Sequence, residues 1–133
     1  MQFLTFSLLA TLAAASPIMR RQPATNTSVW PVSNFEVGCS PAACEYSFIV
    51  TRAAGPSNPG FNTTCTGNDL DKDFQACDDK SVTARLVPHL YPEWEINVKH
   101  SFEGNNKAAV HSFANGTTEA DKPAFTVTVY KTD

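Results

Sequence analysis

Three histidines recur at intervals of eleven residues, His89, His100 and His111, and imidazole is the commonest side-chain ligand for zinc and similar metals. His100 and His111 flank the Gly104-Asn105 turn and would lie roughly opposite each other in a hairpin. His100, however, falls on the apolar face of its segment, where a hydrogen-bonded core histidine is the commoner arrangement. His89 follows Pro88 in a loop. The reading adopted is three structural histidines and no metal site. Glu93 and Glu95 flank Trp94 and suggest the carboxylate pair of a glycoside hydrolase. Two residues apart on one strand, they point the same way, into solvent, and nothing near them builds a sugar cleft. Asp69, Asp71 and Asp73 resemble half of a calcium loop but lack its central Gly and closing Glu. A solvated, exposed acidic loop is expected there.

Nucleophiles fare no better. A serine hydrolase would carry its nucleophile in a G-x-S-x-G setting, which is missing here. No Gly-rich phosphate loop is present, and the four cysteines are expected to be paired, which removes a thiolate. The chain therefore offers no constellation that specifies catalysis, and neither enzyme activity nor a cofactor is expected. Ten basic against thirteen acidic residues give a net charge of −3. That balance argues against nucleic acid as a partner. At 133 residues, with 42% hydrophobic side chains and 17% charged ones, the chain suits one folded domain.

The compartment is written at the N-terminus. Residues 1–15 read as a signal peptide, apolar from Phe3 to Leu12 and ending in Ala13-Ala14-Ala15 before Ser16. Once that segment is assigned, no apolar run is long enough to span a bilayer. A leader and flexible N-terminus is expected over residues 16–28, with Arg20-Arg21 as a candidate dibasic processing site. Cleavage there would leave 112 residues. Three N-x-S/T sequons, at Asn26, Asn62 and Asn115, are candidate glycosylation sites in a secreted chain. In an oxidising compartment Cys39, Cys44, Cys65 and Cys77 predict two disulfides. Four cysteines allow three connectivities. Hairpin geometry would face Cys44 to Cys65 across the Gly55 turn, leaving Cys39 with Cys77.

The elements that must hold these residues are strands. Trp94 to Phe102 alternates almost without fault, placing Trp94, Ile96, Val98 and Phe102 inward and Glu95, Asn97, Lys99 and Ser101 in water. Phe125, Val127 and Val129 repeat the pattern, as do Tyr46, Phe48 and Val50, and Phe35 with Val37 marks the first strand. Shorter strands are expected around Phe61 to Thr66, Val82 to Val87 and Ala108 to Ala114. Loops are expected at Ala54 to Gly60, at Asp69 to Lys80 and from Asn115-Gly116 to Pro123. About seven strands and no helix predict an all-β domain over residues 29–133, a small antiparallel sandwich or barrel.

The order of these segments resembles a known family. Val29-Trp30-Pro31-Val32-Ser33-Asn34-Phe35 follows the leader, then come Phe48-Ile49-Val50-Thr51, Thr63-Thr64-Cys65-Thr66, an acidic loop, Ala76-Cys77 and a final strand at Phe125 to Tyr130. It is similar to the Alternaria major-allergen-like family of small secreted fungal proteins, which includes hypersensitive-response-inducing elicitors. The resemblance implies a compact antiparallel β-barrel or sandwich and a Cys65–Cys77 disulfide, with Cys39 left to Cys44. That pairing is the one adopted. The chain lacks the additional cysteines that could link a dimer. The resemblance further implies a secreted, non-catalytic effector that acts through its folded surface on a host component, plant tissue being the expected setting. An extracellular carrier of a small apolar ligand, with Trp30, Tyr91 or Trp94 lining a barrel mouth, is the alternative.

Overall fold

Along Glu93–Glu103 the side chains of Trp94, Ile96, Val98 and His100 are buried while Glu93, Glu95 and Lys99 reach outward. That single strand displays the rule of the whole molecule. A computed structural model describes residues 28–90 and 92–133. The proposed signal segment, Arg20, Arg21, Asn26 and Tyr91 lie outside the described residues. In chain order the strands are β1 (Val29–Cys39), β2 (Cys44–Arg52), β3 (Phe61–Asn68), β4 (Gln75–Ala76), β5 (Val82–Pro88), β6 (Glu93–Glu103), β7 (Ala109–Glu119) and β8 (Phe125–Thr132). They form one antiparallel sheet in the order β3-β2-β1-β8-β7-β6-β5-β4. Of the expected sandwich or barrel the all-β architecture is present as a nearly closed barrel, with eight strands among the described residues rather than about seven.

The sheet curls until it is nearly closed, and a disulfide and three hydrogen bonds hold the seam, one of them from Gln75 Nε2 to the Asn68 carbonyl at 3.2 Å. Cys65 on β3 is bonded to Cys77, just after β4. The amide of Asp78 donates to the Thr64 carbonyl at 2.9 Å, and that of Asp79 donates to Thr63 Oγ1 at 2.8 Å. Edge strands are otherwise unpaired templates for aggregation, and the links across this nearly closed sheet reduce that hazard. The second disulfide, Cys39–Cys44, clips the β1–β2 hairpin, whose tip is also held by Ser40. The sequential pairing is thus the observed one. Hairpin geometry failed as a guide because Cys65 stands opposite Phe48 in the β2–β3 ladder, not opposite Cys44.

Several expectations about boundaries are corrected, each for a local reason. β1 starts at Val29, well before Phe35, because a bulge with Asn34 at φ 55° reverses the alternation. Trp30 and Val32 are inward before it, and Phe35 after it. β7 runs through Asn115 and Gly116 to Glu119 instead of ending in a loop. Gly116 permits this, since a Cβ there would sit 2.5 Å from the Thr126 carbonyl oxygen of β8. Asn97, expected in water, is only 3% exposed. It lies in register between Arg85 and Asn115 and donates to Glu95 Oε2 at 3.0 Å.

The acidic segment is also more ordered than its composition suggests. Asp71 and Asp73 are exposed as expected. Asp69, however, accepts from the Cys44 amide at 3.0 Å, and Gln75–Ala76 forms β4 against β5. Phe74 anchors it by packing against Phe113, with ring centroids 6.4 Å apart. One aromatic side chain among the carboxylates supplies the apolar contact that the rest of the segment lacks.

Candidate functional site

The three histidines do not converge. The β6–β7 register pairs His100 with Ser112 and His111 with Ser101, so the two imidazoles project from opposite faces of the sheet. A one-residue offset in a strand reverses the side-chain direction. His111 Nδ1 lies 2.8 Å from Ser101 Oγ. At the far end of the barrel His89 sits between both glutamates of the suggested carboxylate pair, 2.9 Å from Glu95 and 3.6 Å from Glu93. Burial tends to raise the Glu95 pKa, but hydrogen bonds from His89 and Asn97 and the charge of Arg85 bring the net shift below the ordinary carboxylate range. Glu95 is therefore an ionised, hydrogen-bonded acceptor, not a proton donor of the kind a glycosidase acid must be. Among the described residues no group of three or more His, Cys, Asp and Glu is arranged to hold a metal ion.

His100 belongs instead to a plug at the opposite end, where β1 begins and β2 ends. The Arg52 guanidinium lies 5.1 Å from the Trp30 ring centroid and 5.5 Å from that of Phe102. It donates to His100 Nδ1 at 3.0 Å. Since arginine has no acceptor, His100 accepts at Nδ1 and carries its proton on Nε2. Burial first, then the Arg52 charge, push the imidazole down to about 4, so it is neutral at ordinary pH. Two buried donors near the plug, His100 Nε2 and Trp30 Nε1, have no hydrogen-bond partner among the described residues. Phe61 packs edge-on to both rings. Trp30 and Trp94 fill the interior rather than line an opening, being 0% and 6% exposed. The mouth-lining role suggested for them is therefore corrected, because each is an inward residue of its strand, Trp30 ahead of the β1 bulge and Trp94 at the start of β6.

The exterior carries two contrasting faces. On β1–β3 a hollow of about 520 Å³ is lined by Gly38, Gly67, Glu36, Glu45 and Ser47 among others. Its Tyr46 hydroxyl donates to the Ala84 carbonyl at 3.3 Å, and burial, helped by Asp71, raises the phenol to about 12. It is not a phenolate near neutrality. On β5–β8 cations alternate with aromatic rings. Arg85 lies 4.8 Å from the centre of Phe74, and Lys99 lies 5.2 Å from Phe74 and 5.9 Å from Phe113. Lys131 lies 5.3 Å from Phe113, which also meets Tyr130 at 6.3 Å. A register shift between β7 and β8 brings Tyr130 and Lys131 together onto this face. Beside Arg85 the face ends in a hollow of about 220 Å³ that includes Lys72 and Leu86.

This row was invisible to motif reading. Phe74, Arg85, Lys99, Phe113 and Lys131 come from five separate segments, and only the strand registers join them. Of the sequons described, Asn62 is exposed on the outer face of β3, whereas Asn115 is half-buried beside Asn97 and Thr128. No helix among the described residues is long and apolar enough to cross a membrane. No family model, curated protein or solved structure matches the chain. Fold and surface together define a class: a disulfide-closed antiparallel β-barrel with a filled interior and a chemically differentiated exterior. Its two disulfides are compatible with an extracellular setting.

Proposed function

We propose that the protein is a secreted fungal effector of the elicitor type, which acts without catalysis through its folded outer surface on an extracellular host component. The observation that carries this reading is the filled barrel. Trp30, Phe35, Phe48, Ile96 and Val98 occupy the interior with exposures of 2% or less. Side chains capable of recognition are thereby left to the exterior, on a frame made rigid by closure. The candidate catalytic groups support it too, since His89, Glu95, His100 and His111 are each engaged in a structural hydrogen bond. The signal segment and the paired cysteines support secretion.

Infiltration of the purified protein into leaves tests this reading. The native protein should provoke a local response, and the same protein reduced and heat-denatured should not. An equal response to both would mean that a linear peptide is recognised and would overturn the role of the folded surface. Secretion also carries a chemical expectation. Asn62 is the glycan acceptor on an open face, whereas Asn115, flanked in register, stays largely unmodified. Intact-mass measurement of secreted Asn62→Gln and Asn115→Gln proteins checks this, and only the first should lose the mass of a glycan.

A further inference from the structure

We propose that the outer face of β5–β8 docks an anionic polysaccharide segment, a chain of uronate sugars with a carboxylate on each residue. The inference rests on the outer-surface reading above and names the chemistry of what that surface meets. Lys99, Phe113 and Lys131 are successive register partners on β6, β7 and β8. They form a line across the strands, and neighbouring strands are about 4.8 Å apart, so the two lysines stand on strands about 10 Å apart. Arg85 and Lys72 extend the positive charge towards β4 and end it at the 220 Å³ hollow. A linear anion with regularly spaced charges meets this row along its length.

The cations are already held in place. Arg85, Lys99 and Lys131 each lie within 6 Å of an aromatic ring centre. That contact removes part of the rotamer entropy that free lysine and arginine side chains lose on binding. The carboxylates nearest the row keep their charge but are turned to other donors. Glu95 is engaged by His89 and Asn97, and Asp69 accepts from the Cys44 amide. Asp133 pairs with Lys131 at 3.4 Å, but both side chains are more than half exposed, so an incoming carboxylate can displace it. The next register row holds Asn115 and Thr128, both half-buried, which offer amide and hydroxyl groups to sugar hydroxyls.

A uronate chain fits better than the other polyanions. The molecule is acidic overall, at −3, which repels a duplex nucleic acid with about one charge per 1.7 Å more than a short uronate chain that touches only this row. A lipid surface is disfavoured because Phe74 and Phe113 lie half-buried beneath cations, leaving Tyr130, with its polar hydroxyl, as the exposed ring of the face.

The test is a titration of the disulfide-intact protein with a short oligogalacturonate, followed by backbone amide NMR. Its methyl ester serves as the uncharged control, and phosphatidylserine vesicles and single-stranded DNA as rival anions. Saturable shifts are expected at Lys99, Phe113 and Lys131, weakening with salt and absent with the ester. A Lys99→Gln, Lys131→Gln double variant should bind about tenfold more weakly, and Glu36→Gln on the opposite face should bind as the parent does. Absence of saturable binding, indifference to the double substitution, or preference for vesicles or DNA would each overturn the inference. A leaf response without glycan binding overturns this inference alone, while glycan binding without a leaf response overturns the effector reading alone.

Discussion

At Arg52 three partners meet one guanidinium: the faces of Trp30 and Phe102 and the Nδ1 of a fully buried His100. Planarity and a fixed donor fork suit arginine to this position, and lysine would not reproduce both contacts. The consequence for His100 is measurable. Its folded-state pKa, about 4, lies below the ordinary 6.5, so as pH falls the unfolded chain takes up the proton first. The contribution to stability is whole above pH 6.5, declines from there to about 4, and is constant below. A shift of that size corresponds to roughly 3 kcal/mol. Asp79 and Glu95, whose carboxyl pKa values are lowered, lose their contributions at lower pH, in the carboxylate range. Urea denaturation across this window should show the slope in the parent protein and not in His100→Gln. An unchanged slope in the variant would assign the acid sensitivity to other groups.

Among the elements, β6 states the register most clearly. Val98 is wholly buried, so Val98→Asp places an unpaired charge in the interior and should cost several kcal/mol. Asn97, one residue away, is buried on the opposite face, and Asn97→Ala removes a donor to Glu95 at a cost of about 1 kcal/mol. Thermal melts of the pair check the inside-outside assignment, and equal effects would contradict it. β4 depends on one side chain in a different way. Phe74→Ala should release the 69–76 segment while the barrel stays folded, because the Cys65–Cys77 bridge lies beyond it. Hydrogen exchange at Gln75 and Ala76 should accelerate, with the remaining strands unaffected. Loss of protection throughout would show that the segment is integral to the core.

For the molecule as a whole the decisive event is closure. Removing Cys65–Cys77 as a double Ser variant frees a longer loop than removing Cys39–Cys44, with sequence separations of 12 and 5. Loop entropy puts the two losses at about 3 and 2 kcal/mol. The longer bridge also joins β3 to the β4–β5 edge, so its loss should expose the seam and promote aggregation. Light scattering of the two variants distinguishes them, and equal solubility would mean that the Asp78 and Asp79 hydrogen bonds close the barrel unaided.

Much of this architecture was legible in the residues alone. Period-two alternation is local, so the inward sets Tyr46-Phe48-Val50 and Trp94-Ile96-Val98 could be read directly, and with them the all-β class. Turn chemistry is local as well: Gly60 adopts φ 71°, and a Cβ there would sit 2.7 Å from the Ala54 amide nitrogen. The sequence lost its grip where alternation reverses or a neighbouring strand intervenes. The Asn34 bulge hid the start of β1, and the need of β8 for a glycine opposite it carried β7 through Gly116. The cation-aromatic row and the Arg52 plug were settled by register between strands distant in the chain. Side chains separated by tens of residues become neighbours only when backbone hydrogen bonds set one strand's phase against the next, and that phase depends on every bulge between them.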